Sequence, residues 1–134
     1  MANPSCSKCG AEMRLIIPLP LPQLNDVIRQ TKRHWAAYAK MKHDTTAAIG
    51  LLSRSQRMGS TQGPYTVTCT WHPMDRRADS DNVSHAVKYI LDGLVMAGAV
   101  EGDNYRLVKA IHHEFAEPDK RNPRVEVAIV EVKA

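Results

Sequence analysis

Two strand-forming stretches constrain this chain more than any other feature. Tyr65–His72 (YTVTCTWH) is β-branched and aromatic with strict alternation, and residues 124–132 (RVEVAIVEV) read as a final strand. Successive strand side chains point to opposite faces, so such segments demand a sheet with one face packed. Tyr65, Val67, Cys69 and Trp71 fall on one face of the first segment. Pro73 ends it by removing a backbone donor.

The rest of the chain is arranged around these strands. Residues 14–19 are apolar and β-compatible, and Pro18, Pro20 and Pro22 close them off. Residues 23–56 carry a helical pattern in which Ile28, Trp35, Tyr38, Thr45, Ile49 and Leu52 mark one buried face. Arg29, Arg33, Lys40 and His43 fall opposite, and Gly50 offers a point of breakage into two helices. Residues 57–64 are rich in Gly, Ser and Gln and predict a loop. After a polar turn over 75–81, a second helix runs to about Ala97 on an apolar stripe of Val83, Val87, Ile90 and Leu94. Gly98 stops it at the position after the C-cap. Residues 105–115 predict a strand, and 118–123 a charged turn that would let the last two strands form a hairpin. The expected order is β-α-β-α-β-β, an α+β fold with a mixed sheet and helices packed on one side. The 134 residues suit one domain, 13–134, preceded by a flexible extension, 1–12.

Charge divides the chain in two. Between Gln23 and Arg57 seven basic residues (Arg29, Lys32, Arg33, Lys40, Lys42, Arg54, Arg57) face two acids. From Met58 onward nine basic residues face eleven acidic ones. A basic half suits phosphates and an acid-bearing half suits a metal, the two requirements of a nuclease. A start lacking a basic and then apolar leader, and the lack of any long apolar run, imply a cytoplasmic protein with no membrane partner.

The candidate site begins at Asp79-Ser80-Asp81-Asn82. In an extended approach to a helix, Asp79 and Asp81 would aim at one point. His85, Lys88 and Asp92 follow Asp81 by four, seven and eleven residues, on one helix face opposite the apolar stripe. Neighbouring carboxylates repel unless a cation joins them, and Mg²⁺ is the natural cation for an all-oxygen site. Asp103, where the chain turns back, is the third acid. The plainer reading is that Asp79 and Asp81 cap a helix and Asp103 sits in a turn.

The block Asp79-Ser80-Asp81-Asn82-Val83, Lys88, Leu91-Asp92-Gly93-Leu94, Gly98 and Asp103 resembles the signature of the RusA family of Holliday junction resolvases. Residues 17–22 (IPLPLP), Leu24-Asn25, the stretch 33–42 and residues 122–127 (NPRVEV) are also similar to phage-borne members, so the likeness spans about residues 14–132. It implies a homodimeric, Mg²⁺-dependent crossover junction endodeoxyribonuclease of DNA recombination and repair, with Mn²⁺ as a possible substitute. Such an enzyme nicks four-way DNA symmetrically and leaves 5′-phosphate and 3′-hydroxyl ends. The setting implied is a bacterial cell, with a phage or prophage gene. Carried over by motif, Asp79, Asp81 and Asp103 bind metal, Lys88 assists catalysis, and Asp92 matches a further acid of less defined role. Two departures stand out. The family's lysine follows the second aspartate by four residues, where this chain has His85, and its frequent acid before the third aspartate is here Gly102, with Glu101 close by. Arg29, Lys32, Arg33, Lys40, Lys42, Arg76 and Arg77, with Arg54 and Arg57, are the expected phosphate contacts.

Cys6 and Cys9 form half of a zinc knuckle, whose missing ligands could come from Cys69, a histidine or another subunit. His112 and His113 point to opposite faces of a strand, which argues against a shared metal. Trp35, Tyr38 and Trp71 are expected in the core rather than as base-stacking platforms. Three alternatives stand beside the resolvase: a non-catalytic DNA-binding protein of the same fold, a nuclease for flaps or forks, and a zinc-stapled adaptor.

Overall fold

The computed structural model describes residues 12–77 and 79–132, apart from the side chains of Leu24, Gln30, Arg33, Asp81 and Asn82. The extension holding Cys6 and Cys9 lies outside these residues. The elements are β1 (Glu12–Pro18), α1 (Leu24–Arg33), α2 (Trp35–Ser55), β2 (Tyr65–His72), α3 (Ser80–Ser84), α4 (Val87–Met96), β3 (Val108–Phe115) and β4 (Arg124–Glu131). The fold is α+β. The four strands form one mixed sheet in the order β1-β4-β2-β3.

β4 lies between β1 and β2 and is antiparallel to both, while β3 runs parallel to β2 at the edge. The last two strands therefore do not form the expected hairpin. The helical crossover α3–α4 returns the chain to the end of the sheet where β2 began, so β3 must run parallel to β2. β4 then takes the central slot, where Val125, Val127 and Ile129 are fully buried; β3 has no fully buried residue.

Alternation becomes burial as expected. Tyr65, Val67, Cys69 and Trp71 from β2 and Leu15 and Ile17 from β1 meet Ile49 of α2 and Tyr89, Ile90 and Leu94 of α4 in one core. Gln56, at the end of α2, covers the open edge of β1, because its amide accepts from Ile16 N (2.9 Å) and donates to Ile16 O (2.7 Å). An edge so occupied is a poorer template for a foreign strand.

The long helical segment breaks at His34, not at Gly50. His34 is extended (φ −169°, ψ 122°) and its Nδ1 accepts from Ala36 N at 3.2 Å, which caps α2. A face projected through that break loses its phase. Ile28 is 44% and Trp35 73% exposed, and Thr46 is buried beside Ile49. The second expected helix is also split, with His85 and Ala86 between α3 and α4. Gly98 does take a left-handed conformation (φ 77°) after the C-cap Ala97. The strand expected from Tyr105 starts at Val108 instead, because Asn104 bends residues 104–107 into a turn. Among the described residues no helix is long and apolar enough to cross a membrane.

Candidate functional site

Three charged side chains from two separate segments converge beside α4. Lys88 and Asp92 lie one turn apart on the helix, with Nζ 3.1 Å from Oδ1 of Asp92. The same Nζ stands 3.7 Å from Oδ2 of Asp103, which comes from the loop between α4 and β3. The hydrogen bond to Asp92, with the charges of Asp92 and Asp103, raises the Lys88 pKa above its ordinary value, so the ammonium is held charged.

The loop carrying Asp103 is fixed on both sides. The Tyr65 hydroxyl donates to Gly102 O at 2.7 Å, and Tyr65 N donates to Leu107 O at 2.8 Å. Burial, with the negative charge of Asp103 nearby, pushes the Tyr65 pKa up to about 12, so this phenol remains a donor. On the other side the Asn104 carboxamide accepts from Arg106 N and Leu107 N at 3.0 and 3.1 Å. A side chain at position 102 would start 3.0 Å from Leu107 Cδ1, which gives a packing reason for glycine where an acid is frequent. Glu101 instead accepts from Gly63 N at 3.2 Å.

Asp79 is exposed just before α3, and its carbonyl accepts from Val83 N at 3.1 Å. Asp81 belongs to α3, and its side chain lies outside the described set. The extended approach expected for this pair is therefore replaced by a helix starting at Ser80. His85 sits in the break and meets the Tyr89 ring edge-on, at 6.2 Å between centroids. The contact with Asp103 belongs to Lys88.

Four of the nine predicted phosphate contacts already hold carboxylates. Arg29 pairs with Asp26, Lys40 with Asp44 at 2.7 Å, Arg76 with Glu117, and Arg77 with Asp75 at 3.7 Å. Lys32 and Lys42 have no ion-pair partner among the described residues, and the side chain of Arg33 lies outside them.

Cys69 is fully buried on the core face of β2, and burial pushes its thiol up to about 12. His112 is exposed, while His113 turns inward and accepts from Trp71 Nε1 at 2.9 Å. Trp71 is core; Trp35 is not.

Residue spacing alone missed Tyr65 as the support of the Asp103 loop, and it gave Asp92 no defined role. The Lys88–Asp92 spacing of four was the available signal for the second. Among the described residues no three His, Cys, Asp or Glu side chains stand close enough to hold a metal. No family model matches the chain, and no curated protein matches it.

Proposed function

We propose that this chain is a Mg²⁺-dependent endodeoxyribonuclease of the RusA kind, acting as a homodimer on four-way DNA junctions. The observation that carries the reading is the convergence of Asp92 and Asp103 on the single positive charge of Lys88. It sets one of the proposed metal ligands, Asp103, beside the ammonium that would stabilise phosphate charge. The motif block supplies the other acids, Asp79 and Asp81.

Asp79, Asp81 and Asp103 are the residues that would hold Mg²⁺. Bound there, the ion would polarise the scissile phosphate and lower the pKa of a water. The protein's own groups do the rest. Lys88 keeps its proton on Nζ and stabilises charge growing on the phosphate oxygens. Asp92 orients the lysine through their hydrogen bond. Tyr65 and Asn104 hold the loop so that Asp103 is preorganised. Water attacks phosphorus, the bond to the 3′ oxygen breaks, and the products carry a 5′-phosphate and a 3′-hydroxyl. A twofold dimer suits a junction because two equivalent strands need two identical sites.

The test is cleavage of labelled four-way, three-way and linear DNA side by side, with Mg²⁺ and with chelator. Asp79→Asn is expected to abolish nicking and keep junction binding, since the side chain is exposed and outside the core. Undiminished cleavage by that variant would sink the proposal.

One observation favours a second reading, a non-catalytic DNA-binding protein of the same fold. Lys88 already satisfies Asp92 and Asp103 as an internal ion-pair network. Tight junction binding without Mg²⁺-dependent nicking by the unaltered protein would select it.

A further inference from the structure

We infer that the groove between the first half of α2 and the outer side of α4 binds an unpaired nucleotide, whose base stacks on Trp35. The inference rests on the reading that the chain acts on DNA and names where a strand engages it.

Trp35 is 73% exposed in the first turn of α2, although a tryptophan is among the side chains that gain most from burial. It stands at the rim of a groove of about 410 Å³, within the roughly 300–1,000 Å³ of ligand pockets. The groove exists because α2 and α4 touch closely only further along. There Gly93 lies against Ile49 and Thr46, and the helices leave open space toward the α2 N-terminus.

The lining has the chemistry of a nucleotide site. Trp35 and Tyr38 offer ring faces. Lys42 offers a positive charge with no ion-pair partner among the described residues. Thr46 is 94% buried by its 6% exposure, and its hydroxyl finds no hydrogen-bond partner among the described residues. A buried hydroxyl without a partner is costly, and Thr46 puts one in the wall of the groove. The negative charge of Asp92 at the groove wall is compensated by Lys88.

Every base has a π-face, so stacking tolerates any sequence. Bases of a duplex already stack on one another, so the groove selects nucleotides released at a branch point or in a single strand. Because Asp92 both lines the groove and bonds Lys88, a nucleotide seated there leads the strand toward the Lys88–Asp103 cluster.

The experiment is a fluorescence titration in chelator, so that no cleavage occurs, with a single strand of about a dozen nucleotides and with its duplex. The chain has two tryptophans, and Trp71 is 1% exposed, so quenching by added strand reports Trp35. The single strand is expected to quench the emission. Read for the variants by the anisotropy of a dye-labelled strand, Trp35→Ala should weaken single-strand affinity about five- to a hundredfold while leaving duplex affinity unchanged, and Trp35→Phe should keep most of the binding. Wild-type affinity of Trp35→Ala for the single strand would overturn the inference. So would unchanged strand binding with an altered oligomeric state, which would make the groove a protein interface. If the strand binds through Trp35 but Mg²⁺ promotes no nicking, the groove stands and the nuclease reading fails. If junctions are nicked and Trp35→Ala binds normally, the nuclease reading stands and the groove fails.

Discussion

The Tyr65 ring is sealed in the core while its hydroxyl reaches the carbonyl of Gly102, one residue before Asp103. Tyr65→Phe keeps the ring and removes only that donor. Loss of one such hydrogen bond is expected to cost about 0.5–1.5 kcal/mol in urea unfolding. Nicking should fall by more than binding, because Asp103 loses its support while the DNA surface is untouched. Equal losses in both would mean that the tyrosine serves stability alone. Lys88 permits a pH test. Its pKa is raised in the folded state, so the stability from its ion pairs is fully present below the ordinary lysine value of 10.5. That contribution is lost only as pH rises through the higher folded value. The stability difference between wild type and Lys88→Met should therefore stay constant between about pH 6 and pH 9. A difference that shrinks across this interval would contradict the assignment.

At the scale of elements, the contact between α2 and α4 holds the helical layer together. Gly93 of α4 lies directly against α2, where an added Cβ would stand 2.7 Å from two side-chain carbons of Ile49 and 3.0 Å from Thr46 O. These are core and backbone atoms with little room to move. Gly93→Ala is therefore expected to destabilise the fold by about 1–3 kcal/mol despite alanine's better helix propensity. Gly50→Ala faces a milder approach, 3.3 Å to Gly93 O, and should cost less. Thermal or urea unfolding of the two variants checks the order, and a more stable Gly93→Ala protein would show that the helices can part freely. Both helices also line the groove, so separating them should weaken single-strand binding as well.

Across the whole molecule, the basic surface is smaller than a count of lysines and arginines suggests. Arg29, Lys40, Arg76 and Arg77 are partnered by carboxylates, while Lys32 and Lys42 are without ion-pair partners among the described residues. A cation released from no partner contributes its full counterion term to DNA binding. Lys42→Ala is expected to lower the slope of log K against log salt by about one. Lys40→Ala should change it less, because Asp44 already neutralises that charge. Filter-binding or anisotropy over a salt series measures both slopes, and equal changes would show that the Lys40–Asp44 pair opens on DNA.

The strands were legible in the sequence because their signals are local: YTVTCTWH declares its buried face by a period of two, and RVEVAIVEV declares a strand by its valines and isoleucine. The apolar stripe of α4 and the glycine stop at Gly98 were legible for the same reason. The D-x-D-N block, Lys88, Asp92 and Asp103 were visible as residue types, so the chemistry they suggest came from sequence alone. Strand order was not legible, since the slot between β1 and β2 goes to the strand whose inner face buries most completely, a comparison made only once the sheet is assembled. His34 shifted the phase of α2 through a cap whose strength over Gly50 depends on packing, and so turned Trp35 outward. The meeting of Lys88 with Asp103 likewise needed the Tyr65 hydroxyl, from a strand remote in sequence, to anchor the returning loop. Sequence determined which residues alternate, cap and carry charge. Tertiary structure decided which of those charges share one place, because that depends on contacts between segments that no local pattern records.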